Sequence, residues 1–177
     1  MSRRVVVFLF LSTVLGLAQD ITSNVLNSQH NLSASGPGTV KSTDPRPCVA
    51  CHISHSGYTV TGYLWNHRTS TAPYSPYQSS TLTATPGNPA TGISKLCLSC
   101  HDGTVALNAT VVGTTTVTGT MAADDVTGTD FTRHHPVGIR PVDDGQVYAG
   151  LAQNPAVSAD PAVKLPGNLV ECTSCHE

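Results

Sequence analysis

Residues 97–101 read CLSCH, and the same pattern occurs at residues 48–52 (CVACH) and 172–176 (CTSCH). The three copies contain all six cysteines of the 177-residue chain. Disulfides, or zinc bound by CxxC pairs, are two alternative explanations of such cysteines. Neither explains why a histidine directly follows the second cysteine of every pair. The CxxCH pattern is the attachment motif of c-type haem.

The spacing within the motif has a chemical reason. Two intervening residues allow both thiols to form thioethers with the vinyl groups on one edge of a porphyrin. The adjacent imidazole then binds the iron as its proximal ligand. We therefore predict three covalently bound haems c. Their attachment residues are Cys48, Cys51, His52, Cys97, Cys100, His101, Cys172, Cys175 and His176.

The composition favours an interior supplied by cofactors rather than by protein side chains. Aromatic residues make up 5% of the chain and charged residues 11%, beside 15 Gly and 12 Pro. Such a composition argues against a coiled coil or a highly charged tail, and a net charge of -2 offers no basic patch for nucleic acid. We predict a mostly irregular fold with short helices at the attachment motifs and few short strands. Residues 110–120, where Val alternates with Thr, form either a strand or hairpin or a solvated loop.

The first residues predict export. Two arginines precede an apolar run over residues 5–17, and the small residues near its end fit a signal-peptidase site. The alternative is a membrane anchor, for which the run is short. We predict a signal peptide over residues 1–18 and a trihaem cytochrome c domain over residues 19–177. The mature protein is then periplasmic or extracellular, with no membrane span after cleavage.

The second axial position of each iron needs either a ligand or an open site for chemistry. Five histidines lie outside the motifs, whereas Met121 is the only methionine beyond the predicted signal. This ratio favours histidine on both faces of each iron. Such irons are closed to substrate, which suits an electron carrier rather than an enzyme.

Four histidines are the candidate distal ligands. We assign His30 to the first haem and His135 to the second, with its neighbour His134 as the alternative. His55 lies three residues after His52, and on a helical turn this spacing directs it away from the iron of its own motif. His55 is therefore expected to serve a neighbouring haem.

Other ring-bearing side chains near the first motif receive different expectations. His67 is expected to contact a haem propionate or solvent rather than an iron. Packing against porphyrin faces is expected for three aromatic residues: Tyr58, Tyr63 and Trp65.

Several strings resemble exported multihaem cytochromes with the doubled CxxCH motif. They are residues 29–40, CHISH at 51–55, LWN at 64–66, LCLSCHDGTVA at 96–106 and HPVG at 135–138. The resemblance covers most of residues 29–176. It implies a haem scaffold that transfers electrons to redox partner proteins or extracellular acceptors.

The polymerising members of this family use a histidine at the position of His55 to bind the terminal haem of the next subunit. The resemblance therefore implies a homopolymer in which His55 binds the third haem of a neighbouring copy. Such head-to-tail contacts do not close on themselves and build filaments. A haem reductase with one open iron, and a fragment of a longer multihaem cytochrome, are the alternatives.

Overall fold

The computed structural model describes residues 25–54, 64–82, 84–89, 91–113, 115–140 and 164–176. Regular secondary structure is sparse in these ranges. It comprises helix α1 (Ser94–His101), strands β1 (Lys41–Ser42) and β2 (Val117–Thr118), and 3-10 turns at Ala123–Asp125, Pro166–Asn168 and Cys172–Ser174. The predicted, mostly irregular architecture is confirmed. The predicted signal peptide (residues 1–18), His55, Tyr58 and Tyr63 lie outside the described residues.

The two strands form a small antiparallel sheet. Lys41 pairs with Thr118, and Ser42 pairs with Val117. The Val-Thr segment thus contributes a strand, but its partner is a distant segment rather than a hairpin within residues 110–120. Gly119 follows β2 with φ +95°, and a β-carbon there would collide with the backbone of Thr39. Only glycine fits this close approach of the two segments.

Helix α1 contains the second motif and contributes to an apolar cluster. Leu98 is 2% exposed and packs with Phe131 and Val137, while Tyr74 and Cys172 pack against this group. Because Leu98 belongs to the second motif and Cys172 to the third, the cluster brings these two motifs together. No helix in the described part of the chain is long and apolar enough to cross a membrane.

Candidate functional site

Each of the three motifs occupies a single tight turn. In the first, the backbone N–H of His52 donates to the carbonyl of Cys48 (2.8 Å), and in the third His176 donates to Cys172 (3.0 Å). The second motif forms the last five residues of α1. This geometry sets both cysteines and the histidine of a motif on one turn of chain, as attachment to one edge of a porphyrin requires. None of the six thiols is in a disulfide.

The LWN segment (residues 64–66) is hydrogen-bonded to the backbone of the first motif. Asn66 is 4% exposed, and its backbone N–H donates to the carbonyl of Cys51 (2.8 Å) while its side-chain amide donates to that of Val49 (3.1 Å). Its side-chain oxygen accepts a bond from the N–H of Val112 (2.9 Å). Asn66 therefore fixes the motif against the loop at residues 110–113.

A cavity of about 560 Å³ lies beside the first motif. Cys48 and His52 line it, together with the apolar side chains of Ile53 and Val112 and the guanidinium of Arg46. The volume is within the range of about 300–1,000 Å³ that cofactor sites occupy. The guanidinium of Arg46 is already paired with Asp44 (2.7 Å). A thiol, an imidazole and apolar walls are groups that a covalent haem needs. The residues present therefore fit the cofactor.

Trp65 adds a second feature to the first site. Its ring meets that of His52 edge-on, with centroids 5.8 Å apart. Its indole N–H is buried and has no acceptor among the described residues. A buried donor without a partner costs free energy, so this N–H is suited to an acceptor on a bound group.

The second motif shows an oriented imidazole facing another histidine. Nδ1 of His101 lies 2.8 Å from the carbonyl oxygen of Asp125, which leaves Nε2 available to a metal. The ring of His30 lies 6.0 Å from that of His101, at an interplanar angle of 76°. Two imidazoles on opposite sides of one ion, with metal–nitrogen bonds of about 2.0 Å, have centroids about 6 Å apart. Desolvation, with repulsion from His101 second, lowers the pKa of His30. Neutral imidazole is the form that binds metals.

The position of His30 differs from the expectation drawn from the sequence. We expected it at the first haem, whereas the structure places it beside the histidine of the second motif. Strand β1 follows His30 in the chain and pairs with β2, which follows α1. No short sequence pattern indicates that these distant segments meet.

The other distal candidates are less closely placed. His134 and His135 are both exposed. The ring of His134 lies 5.2 Å from that of Phe131, whose apolar cluster also contacts Cys172. His134 is thereby connected to the side of the core where the third motif packs.

His67 has a structural position that the sequence did not indicate. It is 4% exposed, so the predicted contact with solvent is wrong, while the alternative contact with a haem propionate stays a prediction. Its two ring nitrogens lie 3.0 Å from the carbonyl of Arg68 and 3.1 Å from that of Ala106. The ring of His67 therefore lies between two loops, with one backbone oxygen beside each nitrogen.

Sequence reasoning also missed a buried carboxylate that follows the second motif. Asp102 is 3% exposed and accepts bonds from the hydroxyl of Tyr74 and from the N–H of Thr104 (2.8 Å). Burial opposes ionisation of Asp102, but these hydrogen bonds outweigh it and lower its pKa. Burial, then the bond to Asp102, raises the pKa of Tyr74 to about 12. The Asp-Gly-Thr string after the motif is the signal that could have indicated this turn.

Replacing Tyr74 with Phe is expected to destabilise the protein by about 2 kcal/mol, because a bond to a charged buried group is lost. A lowered pKa in the folded state stabilises the protein above the unfolded pKa, and this contribution disappears as pH falls through the folded pKa. Without Tyr74, the pKa of Asp102 rises, so acid unfolding should begin at higher pH. Denaturant unfolding across a pH series measures both effects. Tyr77→Phe is the control, and equal curves for the two variants would contradict the prediction.

A second buried carboxylate joins α1 to the third motif. Glu171 is 2% exposed, and its Oε2 accepts bonds from the backbone N–H (3.2 Å) and the hydroxyl of Ser94. The Ser94 hydroxyl oxygen in turn accepts a bond from the N–H of Cys172 (3.0 Å). Ser174 and Glu171 also exchange side-chain and backbone bonds. We call Ser94, Glu171, Cys172 and Ser174 the Glu171 clasp.

A glycine lies directly against the Glu171 side chain of the clasp. Gly92 has φ +60°, and a β-carbon at this position would collide with Oε1 of Glu171. That oxygen is buried and has no hydrogen-bond partner among the described residues. A lone acidic residue before an attachment motif, in a chain with 11% charged residues, is the weak sequence signal that could have indicated Glu171.

Comparisons with known proteins add no family to this picture. No model of a known protein family matches the chain, and a search of curated proteins finds no match. Within the described ranges, no group of three or more His, Cys, Asp or Glu side chains is placed to hold a metal ion by itself. The functional interpretation therefore depends on the three motifs and their surroundings.

Proposed function

We propose that this chain is an exported trihaem cytochrome c that carries single electrons through closely spaced haems with histidine on both faces of the iron. The observation that carries the proposal is the CxxCH motif, present three times and each time folded as one turn. The cavity beside Cys48 and His52 supports it at the first motif. The facing rings of His30 and His101 support it at the second.

In this proposal, the haem supplies the one-electron couple of its iron, and the protein supplies attachment, ligands and orientation. The six cysteine thiols hold the three groups, and His52, His101 and His176 are the proximal ligands. The carbonyl of Asp125 fixes the ring of His101 through Nδ1, which directs Nε2 away from the backbone. His30 is the distal ligand at the second motif, while His134, His135 and His55 are the candidates at the other two.

The electron partners in this proposal are redox proteins or extracellular acceptors. Head-to-tail assembly, with His55 binding the third haem of a neighbouring copy, extends the proposal and follows from the resemblance to polymerising cytochromes. His55 itself lies outside the described residues. No catalytic residue is assigned, since an electron carrier needs no open iron.

The mass of the mature protein should equal that of its polypeptide plus three haems. Thioether bonds survive denaturation, so the haems should remain attached in acidified organic solvent, which extracts non-covalent haem. Intact-protein mass spectrometry after such extraction measures the number retained. Loss of all colour into the solvent would contradict covalent attachment.

The variant Cys100→Ala provides a control within the same chain. It should weaken attachment at the second motif only, because one of two thioethers is lost there. Peptide mapping should then find intact haem peptides from the first and third motifs. A loss spread equally over all three would indicate misfolding rather than a local effect.

A further inference from the structure

The segment that carries His30 is anchored by its buried neighbours rather than by His30 itself. The His30 side chain is exposed, whereas Asn31 and Ser33 are 5% and 2% exposed. We call residues 28–36 the His30 loop. The ring of His30 lies 6.0 Å from that of His101, so the groups that fix this loop also fix the distance between the two rings.

The side chain of Asn31 is hydrogen-bonded to the chain on both sides of His30. Its amide group donates to the carbonyl of Leu26 (2.8 Å). Its Oδ1 accepts bonds from the hydroxyl (2.6 Å) and the backbone N–H (3.2 Å) of Ser33. One buried side chain therefore joins the residues that precede His30 to those that follow it.

Further hydrogen bonds hold the backbone at His30 in one conformation. The N–H of Asn31 donates to the carbonyl of Ser28 (3.0 Å), and the N–H of Leu32 donates to that of His30 (3.0 Å). The Ser28 hydroxyl accepts a bond from the N–H of His30 (3.2 Å). Because these bonds lie on both sides of His30, they set the direction in which its side chain leaves the backbone.

The His30 loop is also attached to the small sheet. The N–H of Ser42 in β1 donates to the carbonyl of Leu32 (2.5 Å), and β1 pairs with β2. Gly36 lies so close to Asn31 that a β-carbon at Gly36 would overlap the Asn31 carbonyl oxygen. The loop is therefore packed around Asn31 and continuous with the sheet.

We propose that Asn31 is a positioning residue that holds His30 opposite His101 and thereby keeps the second iron closed to external ligands. The inference rests on the proposed function, because the iron is that of the haem expected at the second motif. His101 is fixed by a different contact, since its Nδ1 lies 2.8 Å from the carbonyl oxygen of Asp125. Asn31 acts on the other member of the pair, through the backbone of the His30 loop.

A ligand that is already held near its binding position loses less conformational entropy when it binds. A competing ligand such as carbon monoxide reaches the iron only in the fraction of molecules from which His30 has dissociated, and its apparent affinity scales with this fraction. Asn31→Ala removes three hydrogen bonds of the loop. It should therefore enlarge this fraction, and we expect it to increase the apparent affinity for carbon monoxide by about tenfold.

The test titrates the reduced, haem-loaded full chain with carbon monoxide and follows the haem absorbance. Asn31→Ala should bind carbon monoxide about tenfold more tightly than the unsubstituted chain, at one haem of three. Asn108→Ala replaces an exposed asparagine and should leave the affinity unchanged. Asn31→Asp keeps the acceptor for Ser33 and should have a smaller effect. Ser33→Ala removes the 2.6 Å bond alone and replaces Asn31→Ala if that variant does not take up haem.

A double variant separates positioning from general destabilisation. His30→Ala should open one haem of three to carbon monoxide by itself. Adding Asn31→Ala to His30→Ala should increase the affinity no further, because the ligand that Asn31 positions is already absent. An unchanged affinity in Asn31→Ala alone would overturn the inference, as would an undiminished effect of Asn31→Ala in the His30→Ala chain.

Hydrogen exchange of the haem-free chain provides a readout that does not depend on the cofactor. Asn31→Ala should accelerate exchange in peptides covering residues 26–42 and leave residues 94–101 nearly unchanged. Equal exchange in the loop of both chains would overturn the role of Asn31. An unsubstituted chain without haem would overturn the proposed function and, with it, the closure of the second iron. Three haems, with no change of affinity in Asn31→Ala, would overturn this inference alone.

Discussion

Glu171→Ala is expected to lower the free energy of unfolding by about 3 kcal/mol, since several hydrogen bonds to a buried carboxyl group are lost and buried donors remain unpaired. The Ser94 N–H and hydroxyl both lose their acceptor. The effect should be concentrated where α1 meets the third motif. Hydrogen exchange of peptides covering residues 94–101 and 164–176, together with denaturant unfolding, measures it. Glu171→Gln keeps an acceptor oxygen and should cost less.

Two controls separate the clasp from general effects of substitution. Asp124→Ala removes an exposed carboxylate and should leave stability nearly unchanged. Gly92→Ala should destabilise the Glu171 clasp, because the added β-carbon collides with the Glu171 side chain. Gly128 also has a positive φ, but in Gly128→Ala the added β-carbon has no atom within 4 Å. Both glycine variants carry backbone strain, so the difference between them reports the collision. Equal losses would show that Gly92 and Glu171 are not coupled.

In the trihaem protein proposed above, His30→Met is expected to raise the midpoint potential of one haem of the three. Methionine in place of one axial histidine raises the potential, here by on the order of 0.2 V within the range of about 0.8 V that axial ligands span. The same iron should gain a sulfur-to-iron charge-transfer band. A spectroelectrochemical titration of the haem-loaded protein measures both changes, and the other two midpoints should remain where they are.

The matched variant is His135→Met, at the histidine that the sequence assigned to the second haem. If His30 and His101 bind the same iron, adding Cys100→Ala should alter the haem whose midpoint potential His30→Met raises. The haem whose midpoint potential His135→Met raises should then be unaffected by Cys100→Ala. The reverse pattern would restore the assignment made from the sequence. No shift in His30→Met would remove His30 from the ligands altogether.

The sequence predicted best what depends on neighbouring residues. The irregular architecture and the turns at the attachment motifs follow from local composition and spacing, and both are found. The strand at Val117–Thr118 was one of two predicted outcomes, but its partner Lys41–Ser42 was not foreseen. Pairing between distant segments depends on the path of the whole chain, which short patterns do not contain.

The same difference between local and long-range contacts holds for the candidate site. The CxxCH residues were evident from spacing, whereas His30 meets a histidine 71 positions further along the chain, and Glu171 meets a serine 77 positions away. His67 was expected to contact a propionate or solvent, and the solvent alternative is wrong because the ring is buried between two backbone carbonyls, of which one belongs to a remote loop. Backbone oxygens have no sequence signature, so contacts of this kind are found only in the folded chain.

The separation of Ser94 and Glu171 also sets an order of events during synthesis. Ribosomes add about 5–20 residues per second, so Glu171 is made about 4–15 seconds after Ser94. During this interval the hydroxyl and N–H of Ser94 lack their acceptor, and Leu98 lacks its contact with Cys172. The segment around Ser94 and Leu98 therefore remains incompletely folded until Glu171 and Cys172 have been synthesised. A pause in translation between the two residues should prolong this vulnerable period and increase degradation of the nascent chain.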